Sequence, residues 1–173
     1  MRSILVLTIL GLAAVPGLEA QRNRAVPVHR HSGFWFSIGA GGGWDAPDGR
    51  FGTVGRGGTG YIRLGGTPHP QFLFGVELNG WENSSGVSRG AMTATALLYP
   101  SHSGGPFVKA GFGAAAYESR GFEARGIATT LGLGADIRLG RNFYLTPNVD
   151  WLVQFFEDDT RPLILVSLGA TWH

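Results

Sequence analysis

Residues 126–140 read GIATTLGLGADIRLG, and they sort by parity along the whole run. Ile127, Thr129, Leu131, Leu133, Ala135, Ile137 and Leu139 fall on one side of an extended chain; Ala128, Thr130, Gly132, Gly134, Asp136 and Arg138 fall on the other. A period of two is the repeat of a β-strand, whose successive side chains point to opposite faces. One face is apolar almost throughout, while the other carries small groups and two charges near one end. A single strand leaves open which face is wet. The answer depends on whether the pattern recurs and whether the chain has enough charge to coat a water-facing surface.

The pattern recurs seven more times. Phe34 to Trp44 alternates Phe34, Phe36, Ile38 and Trp44 with Trp35, Ser37 and three glycines; a second strand runs near Gly57 to Gly66 and a third over Phe72 to Trp81. The fourth follows a loop at Asn83 to Arg89 and sets Met92, Ala94, Ala96 and Leu98 against Thr93, Thr95, Leu97 and Tyr99. The fifth sets Val108, Ala110 and Phe112 against Lys109, Gly111 and Gly113; the seventh spans Phe143 to Phe155, and the eighth alternates Ile164, Val166, Leu168, Ala170 and Trp172 with Leu165, Ser167, Gly169 and Thr171. No helical period appears after the first twenty residues.

Charged residues make up 15% of the chain, well below the roughly 25% of ordinary soluble domains. The apolar faces are therefore predicted to point outward into lipid, with the polar faces lining a lumen. The 29 glycines have no collagen period, and many lie at alternate strand positions. A net charge of +2, scattered along the chain, gives no basic patch for nucleic acid.

Residues 1–20 combine Arg2, an apolar run from Ile4 to Val15 and a small residue at Ala20, the layout of a cleavable secretory signal. Residues 21–32 are polar and basic and are expected to form a flexible periplasmic lead, with the barrel over residues 33–173. The absence of cysteine excludes a disulfide scaffold. The predicted fold is all-β: an eight-stranded antiparallel up-and-down transmembrane barrel with periplasmic termini, short periplasmic turns and mostly longer external loops, an outer-membrane pattern.

Over residues 33–172 the chain resembles the small eight-stranded outer-membrane barrels of the OmpA and OmpX type. The likeness is carried by Leu97-Leu98-Tyr99-Pro100, a tight turn, then Pro106-Phe107-Val108-Lys109-Ala110-Gly111-Phe112-Gly113, and by a closing amphipathic strand that ends on an aromatic. The resemblance implies a cell outer-membrane location. It also implies that the barrel assembly machinery reads the last strand, through Ile164, Val166, Leu168, Ala170 and Trp172. Outer-membrane lipids and lipopolysaccharide are the expected surroundings, and a monomer the expected state.

With the apolar parity outward, Arg63, Glu77, Lys109, Asp136, Arg138 and Asp150 face the lumen, three positive and three negative. Arg63 and Glu77 should be diagonal neighbours across the hairpin turn, and Lys109 should lie close to Asp136 on the adjacent strand. Buried ions persist only when paired, so a lumenal ion-pair network plugging the barrel is predicted. Ile127, Leu131, Leu133, Ile137, Ile164, Val166, Leu168 and Trp172 should face lipid. Aromatics at the strand ends, Phe34, Phe72, Phe143 and Trp172 on one side with Trp44 and Phe155 on the other, fit interfacial girdles.

Other motifs point to no chemistry. Gly55-Arg56-Gly57-Gly58-Thr59-Gly60 has GxGxxG spacing without the strand and helix that a dinucleotide site needs, and reads as a loop entering strand two. His29, His31, His69, His102 and His173 all map to the periplasmic end but lack hairpin or helical ligand spacing. Ser101-His102-Ser103 lacks an orienting carboxylate, and Glu157-Asp158-Asp159 reads as a solvated hairpin tip. No catalytic, cofactor or metal residues are assigned. The expected role is structural or surface-interacting and non-enzymatic. Three alternatives remain: a narrow porin-like channel, a lipid-modifying enzyme, and a secreted lipocalin-like carrier with the apolar faces turned inward.

Overall fold

The computed structural model describes residue 31 and residues 33–45, 55–101, 104–119, 121–157 and 159–173. Eight strands follow one another: β1 (Gly33–Asp45), β2 (Arg56–His69), β3 (Phe72–Asn83), β4 (Val87–Leu98), β5 (Pro106–Ser119), β6 (Phe122–Ala135, continued by Ile137–Arg138), β7 (Phe143–Phe155) and β8 (Thr160–Trp172). Each pairs antiparallel with its neighbour in the chain, and β1 pairs with β8, so the sheet closes on itself. Closure satisfies every strand edge, which is what allows a sheet to sit in hydrocarbon.

Parity is realised as the alternation predicts. Leu131 and Leu133 face outward, 53% and 64% exposed, while Thr130, next to Leu131, is buried. Ile127, Ile137, Ile164, Val166, Leu168 and Trp172 are likewise on the outer surface. This overturns the lipocalin-like arrangement: the large apolar side chains are outside, and a cavity of about 700 Å³ is a groove on the outer wall bordered by Gly60, Ile62, Gly80 and Met92. Near one rim, Trp172 stands in register with Phe36 and Phe143, with ring centroids 5.9 and 5.0 Å away.

Three boundaries differ from the sequence reading. Residues 56–60 lie in β2, paired with β1 and β3, so the GxGxxG spacing falls on a strand rather than a loop. Asn83–Arg89 is mostly strand as well. Asn83 Oδ1 accepts from the backbone N–H groups of Ser85 and Val87, both at 3.0 Å, and this side-chain-closed turn lets β4 begin at Val87. The connections at that end of the barrel are accordingly short after β3 and β5, and residues 46–55 form the long one.

The third difference is a break in β6 at Asp136. The register places Pro147 of β7 opposite Ala135, and proline has no N–H to give to the ladder. Asp136 N–H turns instead to the Gly105 carbonyl, 2.9 Å away, and the ladder resumes at Ile137 with Leu145.

Candidate functional site in the barrel lumen

The centre of the lumen holds four charges from four strands. Arg63 on β2 faces Glu77 on β3 in direct register, and Arg63 Nε donates to Glu77 Oε2. Lys109 on β5 reaches both Glu77 oxygens, at 2.7 and 3.0 Å, and Asp150 Oδ2 on β7 at 2.8 Å. Arg63 Nη2 completes the ring to Asp150 Oδ2 at 3.1 Å. All four side chains are at most 3% exposed, and two positive charges balance two negative ones. Asn148 Nδ2 adds a bond to Asp150 at 2.8 Å, and the Arg63 guanidinium lies 3.8 Å from the centroid of the Tyr61 ring.

Glycines make room for this cluster. A Cβ on Gly132 would collide with Asp150 and crowd Lys109, and one on Gly39 or Gly169 would collide with Tyr61. Small opposite large is how an eight-stranded barrel, with an interior just wide enough for side chains, is filled.

Apolar layers lie on both sides of the charges. Towards the end that carries the β1–β2 connection, Trp81, Ala91, Ala115, Ala128, Leu152, Leu163 and Leu165 form one buried cluster. Above it Arg89 pairs with Asp45 at 2.7 Å and lies 5.5 and 5.9 Å from the rings of Trp81 and Tyr117. Towards the end where β1 begins and β8 ends, Trp35, Leu73, Leu97, Tyr99 and Phe107 form the second cluster.

Asp136 sits at that mouth. Its carboxylate accepts from Tyr99 OH at 2.7 Å and Thr146 Oγ1 at 2.6 Å, and lies 3.4 Å from His173 Nε2. His31 stacks on His173 with centroids 4.2 Å apart, and its Nδ1 lies 3.2 Å from the Pro70 carbonyl. Burial, reinforced by neighbouring His173, lowers the His31 pKa to about 4, so its ring is neutral at neutral pH. Thr146 continues to Thr171 at 2.7 Å, Thr171 to Ser37 at 2.8 Å and Ser37 to Tyr61 at 3.3 Å, a polar chain from the mouth to the ring beneath Arg63.

Of the six charges expected to form one network, four do: Arg63, Glu77, Lys109 and Asp150. Lys109 bonds to Glu77 and Asp150 rather than to Asp136. The interruption at Asp136 sets that carboxylate among Tyr99, Thr146 and His173. Arg138, beyond the break, is exposed on the rim and donates to the carbonyls of Gly140 and Arg141. Arg89 was missed because residues 83–89 read as a loop; continued down from Leu97 and Thr93, the parity of β4 points Arg89 inward. His31 and His173 carry no spacing signal, being brought together only by ring closure.

His29, His102, Ser103 and Asp158 lie outside the described residues, as do residues 1–20. Of the expected lead, only His31 is described, and it is buried.

A closed eight-stranded barrel, apolar without and polar within, has the architecture of the small outer-membrane β-barrels. No protein-family model matches the chain, and no curated protein matches it. Solved structures do. Neisserial surface protein A superposes with a TM-score of 0.65 at 14% identity, over 82% of this chain and 97% of that one. Ail, the attachment invasion locus protein of Yersinia pestis, superposes at 0.50 with 17% identity, over 82% and 99%. The backbone structure of Ail in a phospholipid bilayer nanodisc gives 0.50 at 14% identity, over 80% and 99%. At these identities the likeness is one of fold.

Proposed function

We propose that the chain is an integral outer-membrane barrel that does not conduct and has no catalytic role, its external connections supplying any surface contact it makes. One observation carries the reading. The four-charge network spans the middle of the lumen between two apolar layers, with each of its side chains at most 3% exposed. Ions held this way act as packing, since separating any one from its partners strands a buried charge.

The outer wall fits lipid and lipopolysaccharide as its surroundings, because its exposed large residues are Leu, Ile, Val, Phe and Trp. Ring closure satisfies the strand edges within one chain, which suits a monomer. A porin-like channel is the reading to test against. Purified protein reconstituted into planar bilayers should show no stable conductance while folded, with folding checked by heat-modifiable gel migration. Large steady channels from the folded form would overturn the proposal.

A further inference from the structure

The filled-lumen reading leaves the mouth cluster around Asp136 without a task. We infer that His31, His173 and Asp136 form a binding site for one divalent transition-metal ion of the zinc type. One ligand atom from each of the three residues lies within 4.8 Å of those of the other two. Two imidazoles with one carboxylate suit Zn2+, Cu2+ or Ni2+ rather than the oxygen-seeking Mg2+ and Ca2+. Bonds of about 2.0–2.2 Å in a tetrahedron separate ligand atoms by about 3.3–3.6 Å. The cluster therefore needs to close by up to about an ångström, and the stacked imidazoles to turn so that their ring planes meet at the ion.

The ring nitrogens supply an independent observation. The Pro70 carbonyl can only accept, so the proton of His31 is on Nδ1 and Nε2 is a bare lone pair. That Nε2 is buried and has no hydrogen-bond partner among the described residues. At His173, Nε2 lies 3.4 Å from the Asp136 carboxylate, and Nδ1 is buried and likewise without a partner among the described residues. Buried polar atoms ordinarily find partners. Packing accounts for the stacking of the two rings, but not for buried ring nitrogens left unpartnered beside a carboxylate.

The outer contacts agree. Ligating histidines commonly donate the far ring nitrogen to a backbone carbonyl, and ligating carboxylates are themselves hydrogen-bonded. Here Pro70 plays the first part, and Tyr99 and Thr146 the second.

The experiment uses the purified full chain, free of any polyhistidine tag, titrated with Zn2+ in competition with a chromophoric chelator; Cu2+ and Ni2+ form parallel arms. One equivalent should bind. His31→Ala, His173→Ala and Asp136→Asn should each weaken it by at least ~10-fold, while His69→Ala leaves it unchanged. His31 lies outside every strand, so His31→Ala tests the site even where Asp136→Asn prevents folding. Imidazole nitrogen resonances of both histidines should shift on adding Zn2+. No saturable binding, binding that survives the His31→Ala/His173→Ala double substitution, or equal weakening by His69→Ala would each overturn the inference.

Discussion

Arg63 and Glu77 occupy directly opposed positions on β2 and β3, bond through Nε and Oε2, and are both sealed from solvent. Neither can lose the other without leaving a dry charge, and Lys109 shares Glu77 with Arg63. Glu77→Ala therefore strands two cations at once. It should destabilise the barrel by about 3 to 5 kcal/mol, read as a shift in urea unfolding in lipid vesicles. The paired replacement Glu77→Leu with Lys109→Met should cost distinctly less than Glu77→Ala alone. Equal losses would show that the charges are not the source of the effect.

Gly132 lies in contact with the network itself. A Cβ there meets Asp150 and crowds the Lys109 stem, both inside a packed lumen. Gly132→Val should cost about 1 to 3 kcal/mol through overpacking, whereas Gly66→Val, at an outer position with open space, should be near neutral. Parallel unfolding curves for the two variants make the comparison.

The outer wall offers a test of lipid contact. Leu133 is the more exposed of the two leucines on β6, so Leu133→Arg should cost ~2 to 4 kcal/mol if it lies near the bilayer midplane. The measurement is the folded fraction in vesicles against urea. Tolerance of Thr130→Leu, together with a loss for Leu133→Arg well beyond that range, would place the apolar parity in the interior.

Trp81 is the largest member of the apolar cluster it shares with Leu152, Leu163 and Leu165. Trp81→Ala should cost about 3 to 5 kcal/mol by leaving a cavity. Conductance should stay absent, because the charge network below is intact. Channels opening in this variant would mean that the tryptophan, rather than the ions, closes the lumen.

How much of this was legible in the sequence varied with the physics behind each feature. The strand order, the outward apolar faces and the inward Arg63, Glu77, Lys109 and Asp150 follow from parity, a local property that each strand displays on its own. Ends of strands were harder. The hydrogen bonds that Asn83 Oδ1 makes to Ser85 and Val87 turn the chain within a few residues, and polar composition there reads as a longer loop. Pro147 was visible, but its effect falls on Asp136, a residue of another strand, and needs the β6–β7 register before it can be seen. The meeting of His31 and His173 depends on closing the ring, a long-range event that no spacing along the chain encodes.

The layering of the lumen has one more consequence. Lys109, Glu77, Arg63 and Asp150 lie between two clusters that dissolved ions do not enter. Sodium chloride weakens charge pairs at a surface as the screening length shrinks from about 10 Å at 0.1 M to about 3 Å at 1 M, but it has no route to these four. The share of the unfolding midpoint that Glu77 and Lys109 supply, read as the difference between the wild type and the Glu77→Leu/Lys109→Met pair, should therefore be indifferent to sodium chloride across that range, the grip between these charges being set by the protein rather than by the surrounding brine.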